Sequence, residues 1–152
     1  MNNEENTPVS RDELFREKAR TYIVCYSTAC QLRDHCLRAI LTGYQPADDL
    51  IATSVNLNNP AMQTDRCPMF RDSTPVRMPF GLRSMYHDMP GWMERSIKQR
   101  LIGDYSRKRY YEYHNGTRPL TPAVERHVRE VVNSFGWHDE PVFMGCVEEY
   151  VW

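Results

Sequence analysis

The stretch Thr28-Ala29-Cys30-Gln31-Leu32-Arg33-Asp34-His35-Cys36-Leu37-Arg38-Ala39-Ile40-Leu41-Thr42-Gly43 decides how the first half of the chain is read. Thr28 and Gln31 have the T-x-x-Q spacing of a capping box. Leu32, Cys36, Leu37, Ile40 and Leu41 give an apolar face at helical spacing, and Gly43 supplies a stop. The pattern predicts a helix from about Ala29 to Thr42. On an ideal helix, at about 100° per residue, Cys30 and Cys36 lie about 120° apart. They can meet at one point only if Cys30 sits at or before the helix entry.

The condition matters because Cys25, Cys30 and Cys36 are clustered and Cys67 follows beside a proline-rich stretch. A tetrahedral zinc ion takes four deprotonated thiolate or imidazole ligands, often from two clusters. Iron–sulfur clusters also take four thiolates, and Cys67-Pro68 echoes the Cys-Pro that closes some such sites. Cys25, Cys30, Cys36 and Cys67 are therefore the candidate metal ligands, for Zn2+ first and an iron–sulfur cluster second. His35 and His87 are substitute ligands. The plainer alternative is four buried thiols with no metal, which Cys36 on its apolar face fits best. A C-x2-C knuckle, which would be diagnostic, is missing. Five cysteines is an odd number, and residues 1–8 lack the cationic and apolar regions of a secretory leader. A disulfide framework is accordingly the weaker reading, and the expected address is the cytoplasm. Cys146 reads as core.

Working outward, residues 1–9 read as a solvated tail and 10–152 as one domain. Ser10 and Glu13 form an S-x-x-E capping box before a helix from Arg11 to about Arg20. Tyr22 to Val24 reads as extended. The segment 44–80 holds five prolines and reads as loops with short strands at best. Asp88 is a candidate N-cap for a helix through Ile102, with Gly103 as its end. Tyr110 to His114 is β-prone, Asn115-Gly116 is a hairpin signal, and Thr117 to Leu120 is the expected return strand. Thr121 and Pro122 open another helix whose apolar stripe is Val124, Val128, Val131, Val132 and Phe135. A last strand lies between Pro141 and Trp152. The fold class is α+β: a mostly helical single domain with a small antiparallel sheet, built from a hairpin at about 110–120 and the C-terminal strand.

Hydrophobic residues are 41% and charged residues 26%, which excludes a disordered chain. No apolar run approaches the ~20 residues of a membrane span. The net charge of −1 hides an asymmetry. Residues 95–118 carry seven Lys or Arg against two acids. Arg95, Lys98, Arg100, Arg107, Lys108 and Arg109 are interleaved with tyrosines, the composition that neutralises phosphates and stacks on unpaired bases. Nucleic acid or another polyanion is the partner class this segment suits. Its bland counterpart is a solvated helix face and a pair of cross-strand tyrosines. No nucleophile elbow, phosphate-cradling loop or zincin helix is present, so an enzyme is the lesser reading, with thiol or iron–sulfur redox chemistry its most natural form.

The run Tyr22 to Arg38 with its three cysteines resembles the opening of a family of small, uncharacterised cysteine-containing proteins of gut Bacteroidales, a domain of unknown function. Cys67-Pro68-Met69-Phe70-Arg71, Arg109-Tyr110-Tyr111, Pro119-Leu120-Thr121-Pro122 and the closing Tyr150-Val151-Trp152 carry the same resemblance. It implies relatedness over about 20–152 and no mechanism. The expectation is therefore an uncharacterised cytoplasmic binding or regulatory protein with a structural four-cysteine metal site, its particular partner unspecified by sequence.

Overall fold

The computed structural model describes residues 9–152, so the expected tail, Val9 apart, lies outside the described residues. The chain divides into two compact units, residues 1–74 with Trp152 and residues 75–151.

In the first unit, α1 (Arg11–Ala19) starts at the expected capping box: the Ser10 hydroxyl accepts from the Glu13 amide and the Glu13 carboxylate accepts from the Ser10 amide. Its Phe15 is fully buried, edge-on to Tyr44 at 5.4 Å and to Trp152 at 6.0 Å. Val24 continues as extended chain and bridges Ser54.

The helix expected over 29–42 does not form as one piece. A 3₁₀ turn (Arg33–His35) is followed by Cys36 in extended conformation, then by α2 (Leu37–Ile40), which runs into a second 3₁₀ turn (Leu41–Tyr44) containing Gly43. Long-range backbone bonds take over at the break. The Leu37 amide donates to Arg71 O at 2.8 Å and the Ser73 amide to His35 O at 2.9 Å, so Cys36 forms an antiparallel bridge with Asp72. Helix propensity is a weak prior, and here a tertiary pairing outcompetes it. The segment between Gln45 and Thr74 is irregular as expected; its one regular piece is a 3₁₀ turn (Pro60–Gln63), and Val55 is its one buried residue.

In the second unit, β1 (Val76–Phe80) pairs antiparallel with β2 (Gly145–Glu149), Met78 opposite Val147. Between them lie α3 (Gly91–Tyr105), α4 (Arg107–Asn115) and α5 (Pro122–Ser134). The α+β class with a small antiparallel sheet holds, but the sheet is not a 110–120 hairpin. Those residues are helix α4 and a loop. The Ser106 hydroxyl accepts from the Arg109 amide at its start, and Gly116, at φ 79°, closes its end. Asn-Gly was ambiguous because a glycine at positive φ serves a helix C-cap as well as a hairpin turn. Tyr110 and Tyr113, three apart, share the buried side of α4. Two smaller expectations also change. Pro90, not Asp88, stands before α3, and α3 runs through Gly103 to Tyr105.

The core of this unit joins Leu82, Ile97, Leu101, Tyr110, Leu120 and Val128. Tyr110 and Tyr86 share a hydrogen bond of 3.2 Å between their hydroxyls, and burial pushes the Tyr110 phenol up to about 12 and that of Tyr86 upward as well. Val128, Val131 and Val132 are buried along α5, capped as expected by Thr121, whose hydroxyl accepts from the Val124 amide. Thr121→Ala should cost about 1 kcal/mol, read from a denaturant midpoint shift at unchanged slope.

Candidate thiol site

The break at Cys36 has a local consequence. Cys30 lies before the first 3₁₀ turn, its carbonyl accepting from the Arg33 amide at 3.2 Å, and Cys36 lies after it in extended chain. The two are released from the 120° separation of a continuous helix. Together with Cys25 and Cys67 they line one cavity of about 20 Å³ in the first unit. Leu32, Val55, Met62, Met69 and Phe70 supply apolar and thioether surface, and Arg33 and Arg38 also reach the lining.

Arg38 ties the pieces together. It is 6% exposed. Its carbonyl accepts from the Cys25 amide at 2.9 Å. Its guanidinium donates to Ile23 O at 2.7 Å, two residues before Cys25, and to Met69 O at 2.8 Å, two residues after Cys67. It also lies 4.5 Å from the Tyr22 ring centroid. No carboxylate among the described residues is within ion-pair distance of it. Arg33 donates to Ser27 O at 2.7 Å, fixing the turn between Cys25 and Cys30.

All four cysteines are free thiols; Cys36 is buried and the other three are half-buried. Among the described residues, no three Cys, His, Asp or Glu side chains are grouped tightly enough to ligate an ion as they stand. The arrangement is thus a small cavity lined by four cysteines that are not drawn together on one point. Neither substitute ligand joins it: His35 is exposed, and His87 lies in the second unit beside Arg83, Asp88 and Glu94. Cys146, expected in the core, is exposed on β2.

The sequence reading missed Arg38, Met62 and Met69. The signal for Arg38 was a charge inside the run Cys36-Leu37-Arg38-Ala39-Ile40-Leu41. A cation is rarely fully buried unless it has something to do there. Met62 and Met69 carried no comparable mark.

The six basic candidates stand on α3 and α4. Arg100 pairs with Asp104 at 3.0 Å and Arg109 with Glu112 at 3.4 Å. Lys98 lies 5.2 Å from the Tyr111 ring centroid. Lys98, with a smaller contribution from Arg107, holds the Tyr111 phenol below its usual range by hydrogen bonding and charge. Lys98→Met should move the Tyr111 titration upward, read by ultraviolet absorbance against pH. Arg95 and Lys108 complete the set without a salt bridge among the described residues, although the charge of Lys108 helps hold the Glu112 carboxyl below its usual range.

No helix of the described residues is long and apolar enough to cross a membrane. No curated protein and no solved structure matches the chain. A family model does match, over residues 2–152, and the chain therefore belongs to the family of unknown function DUF6078.

Proposed function

We propose that the protein is a binding module whose first unit is held together by one zinc ion on Cys25, Cys30, Cys36 and Cys67. What supports this reading is that four cysteines, from three separate stretches of chain, line one small cavity. Zinc prefers sulfur and nitrogen in a tetrahedral shell with bonds of about 2.3 Å to sulfur. Two thioethers in the same lining add to the soft character of the site. Loading draws the thiols inward onto the ion, which the irregular 45–74 segment can follow. The reading carries a cytoplasmic address, because thiol ligands persist in a reducing compartment.

Elemental analysis of freshly purified full-length protein, with native mass spectrometry, should find one zinc per chain. A protein that refuses added zinc under reducing conditions would remove the reading. A visible chromophore with iron in place of zinc would replace it with the iron–sulfur alternative.

A second reading rests on the second unit, where Lys98 and Arg107 meet at the Tyr111 phenol. Cations around a half-buried aromatic ring suit a single-stranded polyanion. Retention on single-stranded nucleic acid that weakens steeply with salt, and is reduced in a K98M/R107M variant, is the expected result. Salt-independent or absent retention would dismiss it.

A further inference from the structure

The cations along α1 do not share one task. Arg11 lies over the Phe15 ring at 4.9 Å and Lys18 over the Trp152 ring at 5.0 Å, so each covers an aromatic face. Arg16 and Arg20 have neither an aromatic face nor a salt bridge among the described residues. They stand one helical turn apart, a spacing at which like charges oppose each other. A solvated guanidinium near a helix C-terminus needs no partner, because the dipole and water suit it. What sets this pair apart is that both arginines line one cleft of about 330 Å³ in the first unit, with Gly43, Tyr44, Gln45 and Pro46 as its other wall.

That wall is fastened to the helix. The Tyr44 ring stands edge-on to Phe15, its hydroxyl donates to Asp12 Oδ1 at 2.9 Å, and Gln45 Nε2 donates to Ala19 O at 2.8 Å. The Arg16 charge reaches across to it: the bond to Asp12 raises the Tyr44 phenol, and the Arg16 guanidinium works against that rise. No carboxylate lines the cleft, so its lining carries two positive charges and no negative one.

We propose that this cleft binds the phosphate group of a small phosphorylated compound, held by Arg16 and Arg20. A guanidinium presents its N–H donors as a planar fork that matches phosphate oxygens two at a time. A phosphate monoester at neutral pH carries close to two negative charges, which balance the two cations. Small-molecule sites occupy about 300–1,000 Å³, so the cleft has room for a phosphate and a few carbon atoms beside it. Both arginines are exposed, so their substitution removes charge without opening the core.

The test is an NMR titration of the 15N-labelled full chain at low ionic strength with glycerol 3-phosphate, inorganic phosphate and glycerol. Glycerol 3-phosphate should shift amides of residues 16–20 and 43–45 saturably, and glycerol should shift none. Arg16→Gln and Arg20→Gln should each weaken binding roughly 5–10-fold, the scale of one lost charge-assisted contact. The double variant should not saturate. Lys18→Gln removes an equal charge from the same helix but from a side chain that does not line the cleft, and should leave the affinity unchanged. Tighter binding of the ester than of inorganic phosphate is expected; equal affinity would assign the cleft to the free ion and overturn the organic part of the ligand. Absence of saturable shifts with both anions would overturn the site. A loss in Lys18→Gln as large as in Arg16→Gln would do the same, because it would mark a diffuse field rather than a cleft.

Discussion

Chelation of the zinc-loaded protein is expected to lower its melting temperature by about 8–16 °C. The size follows from linkage. A ligand present at a thousand times its dissociation constant adds about 4 kcal/mol to the folded state. For a chain of this length, 1 kcal/mol corresponds to roughly 2–4 °C. The structural reason lies between Gln45 and Thr74, where Val55 is the one buried residue and Leu50 and Ile51 are 99% and 87% exposed. Ordering each residue costs about 1–2 kcal/mol of chain entropy, and such a segment buries little apolar surface to offset it. Metal ligation at Cys67 and Cys36 would supply the missing restraint. Hydrogen exchange should therefore rise first around 45–74 on chelation, while amides of α3, whose Ile97 and Leu101 are fully buried, keep their protection. Cys67→Ser should reproduce the effect without chelator. An unchanged melting curve in both experiments would leave these thiols with no structural task.

Spacing alone marks Cys25, Cys30, Cys36 and Cys67 as candidates, and helix geometry sets the condition that Cys30 must leave the helix for them to meet. What sequence could not show is that Cys36 leaves it too. The pairing of 35–37 with 71–73 joins residues far apart in the chain, and no local pattern marks Arg71 or Ser73 as its partner. The break in the expected helix also places Cys36 on the lining of the cavity, and local rules commonly give way at such places. Arg38 was hidden for a related reason. Its role comes from touching Ile23 and Met69 at once, a relation of three distant stretches rather than of any one.

In the second unit the strongest local signals were the ones that survived. The Thr121-Pro122 start of α5 and its valine stripe depend on neighbours within four residues, and both stand as read. The tyrosine-rich segment failed because β-propensity reports how well a ring packs on a pleated surface, not an intrinsic backbone demand. Tyr110 found its packing on a helix instead, beside Tyr86 and Tyr111. The strand that β2 does pair with, β1, was masked by Pro79 inside it. Its neighbour Phe80 still accepts from the Met144 amide, and Pro79 O still accepts from the Leu120 amide. A proline removes a donor, not an acceptor.

Gly81→Ala is expected to destabilise the protein by about 2–5 kcal/mol. Gly81 follows β1 with φ 80°, a left-handed conformation that costs an L-residue roughly 1–2 kcal/mol. A Cβ there would stand 2.6 Å from Met144 Cβ, an atom fixed to the backbone. Met144 cannot retreat cheaply, because its amide donates to Phe80 O at 2.9 Å and to Gly81 O at 3.2 Å. Crowding of this kind adds about 1–3 kcal/mol. Gly145→Ala offers the graded comparison. Its Cβ would meet the Phe80 ring at 2.6 Å, but a ring can rotate or slide, and Gly145 has no positive φ, so the loss should be smaller. Gly103→Ala should carry the opposite sign: it lies within α3 with nothing inside 4 Å of the new methyl, and Ala there gains about 0.5–1 kcal/mol in helix propensity. Urea midpoints of the three variants should therefore fall in the order Gly81→Ala lowest, Gly145→Ala between, Gly103→Ala above wild type. A Gly81→Ala protein as stable as wild type would mean that the turn after β1 does not hold Met144 as described, and the β1–β2 register would need to be redrawn.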